Sequence, residues 1–316
     1  MNEVWAARLR EYGPIIALIL LVLFVGAYDQ RFFAPNTLLV LVSDTMTLFI
    51  MASGTTLVIM MGGIDLSIQA IASLASVILA LTLPQLGFAA IPLALLSGVV
   101  MGVAGGASHT ALRIPSFITT LAVGGIAASA AFVFSDARSI DISGAMRNQY
   151  LSWVIGRTAG IPNEILVGLV VLIVLSVVLK FTPFGRFTQA IGASERTVHA
   201  SGIDVNLVKV GAFVVSGLTA ALSGIVFAAR LSSGSPTMAN EFLLPAIAAV
   251  IVGGTALTGG VGSIWRTFVG ALIIAVVRIG MTFMGISVFA QQIVFGLVLV
   301  AAVAATMDRL RIHIVK

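Results

Sequence analysis

The chain has 316 residues, of which 59% are hydrophobic and only 9% charged, with a mean hydropathy of +1.14. So few charges cannot coat a water-facing surface, where about 25% is usual, and so apolar a chain is not disordered. What remains is a polytopic, helical membrane protein, an all-α transmembrane bundle read as one domain over residues 1–316.

A span needs about 20 apolar residues to cross about 30 Å of hydrocarbon. About ten runs qualify: 14–28, 37–61, 66–83, 88–112, 117–135, 164–181, 207–231, 244–258, 264–283 and 288–307. The eighth is short and ends in glycines, as a re-entrant or broken helix does. Arg8 and Arg10 before the first run resemble the start of a signal peptide, and Val25-Gly26-Ala27 offers small residues for cleavage. With nine more runs following, the first is expected to be retained.

The net charge of +5 lies mostly in short connections and reads as topology facing anionic lipid, not as nucleic-acid binding. With the N-terminus inside, Arg8, Arg10, Arg113, Lys180, Arg186, Arg196, Lys209, Arg266, Arg309, Arg311 and Lys316 are cytoplasmic. Arg31, Arg138, Arg147, Arg157, Arg230 and Arg278 then lie at or toward the outside. That excess of basic residues predicts both termini inside. It makes residues 136–163 an outer loop and residues 182–206 the longest inner one.

No enzyme constellation appears. His109, His199 and His313 are isolated, no Cys is present, and no Gly-Lys-Ser/Thr closes a P-loop. No cofactor is expected in this chain, and ATP-driven work needs a separate ATPase.

Several residues are candidates for lining a translocation path. Asp44 lies within a run, and an acid in hydrocarbon costs at least ~2.5 kcal/mol on insertion scales, so it should face protein or water. Thr47, Met51 and Thr55 share its helical face, either lining a hydrated path or packing on neighbours. Asp65 and Ser67 follow Gly62-Gly63, where an acid or hydroxyl serves equally as a helix cap or a substrate contact. Met60–Ser67 echoes Ile251–Thr258 around Gly253-Gly254, either as the broken helices of a transporter repeat or as the chance match that any Gly-rich membrane protein yields. Phe117 completes the set. In the inner loop, Gly192 and Gly202 bracket Ala193-Ser194-Glu195-Arg196-Thr197-Val198-His199-Ala200-Ser201. Ser194 is a candidate N-cap for a helix of about nine residues, marginal alone. It needs a surface, either a docking partner or the protein's own inner face.

The chain resembles a permease subunit of the ribose-type branch of bacterial ABC sugar importers. The resemblance rests on Leu57-Val58-Ile59-Met60-Met61-Gly62-Gly63-Ile64-Asp65-Leu66-Ser67, Ile114-Pro115-Ser116-Phe117-Ile118-Thr119-Thr120-Leu121, and Phe184-Gly185-Arg186 with Ala190-Ile191-Gly192. It continues with Ser201-Gly202-Ile203, Ala229-Arg230-Leu231-Ser232-Ser233, and Ala246–Thr255 with Leu257-Thr258-Gly259-Gly260. It implies a ten-helix, type II importer fold in the bacterial inner membrane, with a second permease subunit. It also implies two cytoplasmic ATPase subunits, which bind ATP and Mg, and an extracytoplasmic sugar-binding protein. By the same resemblance, residues 193–202 are the coupling helix seated in the ATPase. Gln69, Ser194, Leu243 and Pro245 depart from many relatives, so no particular sugar is carried over. The alternatives are a permease for branched-chain amino acids or nucleosides of the same fold, and a self-contained secondary transporter.

Overall fold

The computed structural model describes the backbone of residues 2–306 and the side chains of residues 12–304. The side chains of Arg8 and Arg10, and all of Arg309, Arg311, His313 and Lys316, lie outside the described residues. The first half of the chain runs α1 Asn2–Tyr28, a 3-10 turn Gln30–Phe33, α2 Pro35–Met60, α3 Ile68–Leu86, α4 Ala90–Ala111 and α5 Ser116–Phe134. The segment 136–163 is not an open loop: it holds β1 Ile140–Asp141, α6 Gly144–Tyr150, α7 Ser152–Ile155, β2 Arg157–Thr158 and β3 Ile161–Pro162. Next come α8 Asn163–Phe181, α9 Pro183–Ala200, α10 Val205–Leu231, β4 Ser233–Gly234, α11 Leu243–Val252, α12 Ile264–Phe283 and α13 Val288–Thr306. The strands form two small antiparallel pairs, β1 with β4 and β2 with β3.

Among the described residues, six helical segments are long and apolar enough to cross a membrane by length and composition: Pro35–Met60, Ile68–Ala111, Ser116–Phe134, Asn163–Phe181, Val205–Leu231 and Ile264–Phe283. The apolar stretches Tyr12–Tyr28, Leu243–Val252 and Val288–Ala304 are shorter. The eighth expected run thus shrinks to the ten residues of α11. The Gly253-Gly254 pair stops it, Gly254 standing at φ +93°.

α2 is buried on every side from Thr45 to Met60, as befits a central helix. α10 runs antiparallel to it and is buried almost throughout from Ser216 to Ala229. The outer helices turn large apolar residues outward, including Leu121 and Val133 of α5, Ile173 of α8, and Phe289, Ile293 and Leu297 of α13. That is the surface a hydrocarbon solvent requires. Between α4 and α10 the backbones touch. A Cβ on Gly102 would reach Val214 Cα at 2.8 Å, and one on Gly106 would reach Val210 Cα at 2.8 Å. Gly98 and Gly217 meet in the same way, each against the other's carbonyl. Four-residue spacing puts Gly98, Gly102 and Gly106 on one face, the small-residue packing that replaces a hydrophobic drive inside lipid.

Buried hydroxyls mostly bond back to their own helix: Thr45 donates to the Leu41 carbonyl at 2.7 Å, Thr56 to that of Ala52 at 2.9 Å. Thr56 also reaches across to Thr267 of α12 at 2.8 Å. These bonds keep polar groups satisfied where no water is available.

Candidate functional site

At one end of the bundle, α2 stops at Met60 and the chain crosses to α3 through Gly62-Gly63-Ile64-Asp65-Leu66-Ser67. Gly62 takes φ +78°, a region open to glycine without steric cost. Asp65 is buried, and both its oxygens are engaged inside the protein. Oδ1 accepts from the Ser67 N–H at 2.9 Å and the Ser67 hydroxyl at 2.6 Å. Oδ2 accepts from the Ser216 hydroxyl of α10 at 2.7 Å. This geometry is that of an internal tie: the carboxylate turns back on Ser67, the residue before α3, and joins it to α10, while the first turn of α3 receives no side-chain cap. α5 holds the same loop from the other side. The Ser116 hydroxyl accepts from the Ile64 N–H at 2.9 Å, and Thr120 Oγ1 from the Leu66 N–H at 3.1 Å.

Residues 182–206, expected as an inner loop, form α9 over 18 residues instead. Thr182 caps its start by accepting from the Gly185 N–H at 3.3 Å, and Pro183 fills the first turn. Ser194 breaks the helix, with φ −163° and ψ 95°. Its hydroxyl then accepts from the Thr197 N–H at 3.4 Å, so it serves as N-cap of a short second helical stretch. Gly202, at φ +80°, ends that stretch and donates to the His199 carbonyl at 3.0 Å. Val198 packs with Ile191 on Val205 and Val208 of the chain's own α10. Ala193, Ser194, Glu195, Arg196, Thr197, His199, Ala200, Ser201 and Gly202 face outward. Glu195 accepts from Lys209 Nζ at 2.8 Å, pinning the stretch to α10.

A cavity of about 290 Å³ joins the two regions. Gly62, Gly63, Ser116 and Phe117 line it together with Glu195 and Lys209. A larger one of about 680 Å³ lies beside it between His109, Arg113, His199 and Asn206. The echoing segments also meet here, with Gly62 beside the Thr258 carbonyl. Gly253 is buried against the Arg266 carbonyl of α12.

The remaining candidates lie apart. Thr47 and Thr55 are buried inside α2's packing; Thr55 donates to the Met51 carbonyl at 3.3 Å, and Thr47 Oγ1 has no hydrogen-bond partner among the described residues. Asp44, in the half of α2 away from Met60, is half-buried and ion-paired with Arg230 of α10. Glu164 at the start of α8 lies 3.5 Å from the same guanidinium, and Arg147 Nε donates to the Ala229 carbonyl at 2.7 Å. Sequence spacing gave no sign of this cluster, because its members come from four distant segments. Asp44 also borders a cavity of about 470 Å³ with Asn36, Thr37 and Arg278. The Arg278 guanidinium lies over the Phe242 ring at 5.1 Å.

The family described as branched-chain amino acid transport system / permease component matches residues 37–303. The ribose import permease protein RbsC of Haemophilus influenzae is 37% identical over 93% of this chain and 92% of its own. The protein of the same name from Bacillus subtilis is 36% identical over 93% and 92%. The D-allose transport system permease protein AlsC of Escherichia coli is 31% identical over 95% and 92%. No solved structure matches. With an apolar exterior, a broken-helix end and a full-length match to transport subunits, the chain belongs to the family of branched-chain amino acid transport system permease components.

Proposed function

We propose that this chain is the permease subunit of an ABC importer that carries a monosaccharide or related polyol across the bacterial inner membrane. The observation that carries the reading is full-length likeness to permeases named for ribose and D-allose import. These relatives favour a sugar over a branched-chain amino acid or nucleoside. A self-contained secondary transporter is disfavoured, because Asp44 is paired with Arg230 and Asp65 is fully hydrogen-bonded. Neither is left free to couple to an ion.

The chain crosses the membrane ten times, through α1, α2, α3, α4, α5, α8, α10, α12 and α13 and through the segment that contains α11, whose ten helical residues reach only about 15 Å by themselves. Two considerations support ten passes over six. Ile68–Ala111 is 44 residues, or about 66 Å of helix, and it turns back at Gly87 with φ +52°. α1 and α13 have apolar stretches only slightly short of a full span. Both termini and α9 are cytoplasmic, so the outward face of residues 193–202 meets an ATPase. Two permeases, two ATPases and a sugar-binding protein complete the transporter.

The test is reconstitution with the ATPase and binding protein in vesicles. ATP-dependent uptake of a labelled pentose or hexose is expected, uncompeted by leucine or adenosine. The purified chain alone is expected to hydrolyse no ATP. Uptake of leucine in place of sugar would overturn the substrate class. Because the chain has no Cys, Ser194→Cys can be labelled selectively; labelling by an impermeant reagent from outside intact cells would overturn the orientation.

A further inference from the structure

Three segments far apart in sequence meet main chain to main chain at the Met60 end of the bundle. The Gly260 N–H donates to the Met60 carbonyl at 2.8 Å. Gly192 of α9 stands directly over that bond, where a Cβ would strike both Met60 O and Gly260 N. A Cβ on Gly259 would come within 2.9 Å of Gly192 Cα and 3.0 Å of the Gly62 nitrogen. One on Gly260 would lie 3.2 Å from the Ala193 backbone. Two residues beyond Gly192, the helix breaks at Ser194.

Such a contact is stiff. Where backbones touch with no side chain between them, no rotamer can absorb a displacement, and close packing passes strain on. Ile191 and Val198 meet Val205 and Val208, and Glu195 meets Lys209, through side chains. The glycine seam therefore grips both the end of α2 and the connection from α11 to α12. Gly62 and Gly63 also line the 290 Å³ cavity next to it.

We infer that this seam is the point at which movement of the α9 end enters the membrane bundle. Gly192 and Gly260 are its positioning residues, and the α2 and α11–α12 ends travel with the kink as one body. The inference rests on the proposed docking of residues 193–202 on an ATPase.

The test uses the complete transporter in vesicles and reads sugar taken up per ATP hydrolysed. A residue needed only for folding lowers uptake and hydrolysis together, whereas a broken relay lowers the ratio. Gly192→Ala and Gly260→Ala are expected to keep binding-protein-stimulated hydrolysis and to lose at least about fivefold in the ratio, the lower end of typical coupling between sites. Gly13→Ala, whose Cβ meets nothing within 4 Å, is the control and keeps the ratio. An unchanged ratio in the two seam variants overturns the inference. If neither variant assembles, spin labels on Arg196→Cys and Val261→Cys, both exposed positions beside the seam, decide it without disturbing the glycines. Their separation is expected to stay constant between nucleotide-free and ATP-bound states; a change of about 5 Å, near one helical turn, overturns the single-body seam. Cross-linking of Ser194→Cys to the ATPase separates the two levels. Its failure removes the docking reading and the seam with it, whereas cross-linking with an unchanged ratio removes the seam alone.

Discussion

Asp44 of α2 and Arg230 of α10 stand 186 residues apart in the chain and form an ion pair, with Glu164 of α8 3.5 Å from the same guanidinium. One cation thus serves two acids and joins α2, α8 and α10. The side chains of Arg230 and Asp44 are 28% and 35% exposed, which reduces the cost of breaking the pair below that of a fully buried one. Arg230→Ala is expected to destabilise by about 1–3 kcal/mol, more than Asp44→Ala, because it leaves two carboxylates facing each other. A double-mutant cycle of Asp44→Asn with Arg230→Gln, followed by thermal unfolding in detergent, measures the coupling. Strict additivity would show that the pair contributes nothing.

The Asp65 carboxylate depends on Ser216 for the partner of its second oxygen. Removing that hydroxyl leaves a buried acceptor atom unpaired, at a cost of about 1–3 kcal/mol. Ser216→Ala should therefore lower stability and uptake, while Ser216→Thr keeps the donor and should retain more of both. Asp65→Asn should be milder than Asp65→Ala, since an amide oxygen still accepts from Ser67. Equal loss in the two Asp65 variants would mean that hydrogen bonding at this loop is not what holds it.

Where Gly102 meets α10, no side chain fits: its Cβ would meet the Phe213 carbonyl as well as Val214 Cα. Gly102→Leu should force the helices apart and cost about 1–3 kcal/mol or more, read as a lower unfolding temperature and less assembled protein. Gly296→Ala, with open space around it, should be neutral. An unaffected Gly102→Leu would mean that α4 and α10 are not in backbone contact in the membrane.

Gly202 ends the capped stretch after Ser194 with φ +80° and donates to the His199 carbonyl. Proline is locked near φ −65° and has no N–H. Gly202→Pro therefore removes both features and should abolish uptake, whereas Gly202→Ala, with nothing within 4 Å of its Cβ, should cost only about 1 kcal/mol of backbone strain. Intact uptake in Gly202→Pro would mean that this turn plays no part in coupling.

Several elements were legible without a structure because they are local. The apolar runs are read from composition, and the structure places helix over most of each, except the eighth, where helix covers only Leu243–Val252. The cap at Ser194 and the stop at Gly202 follow from short-range backbone chemistry, and both appear at those residues. The extension of that helix back to Pro183 was less visible. Phe184–Gly192 carries few charges and three residues of low helix preference, yet the Thr182 cap and packing on α10 make it helical.

The sequence by itself determined a helical membrane protein, because hydrocarbon admits few other ways to satisfy a backbone, and the apolar content selects that solvent. It also marked where helices start and break, since capping groups and glycines act within a few residues. Only the tertiary structure decided which candidates meet. Asp65 became a tie between the α3 entry and α10 because Ser216 arrives opposite it, Asp44 became half of an ion pair because Arg230 does, and Thr47 and Thr55 became core because α2 is surrounded. The junction of Met60, Gly192 and Gly260 belongs to the same class. Each arises from contact between segments distant in the chain, and no periodicity within one helix encodes which other helix will lie against it.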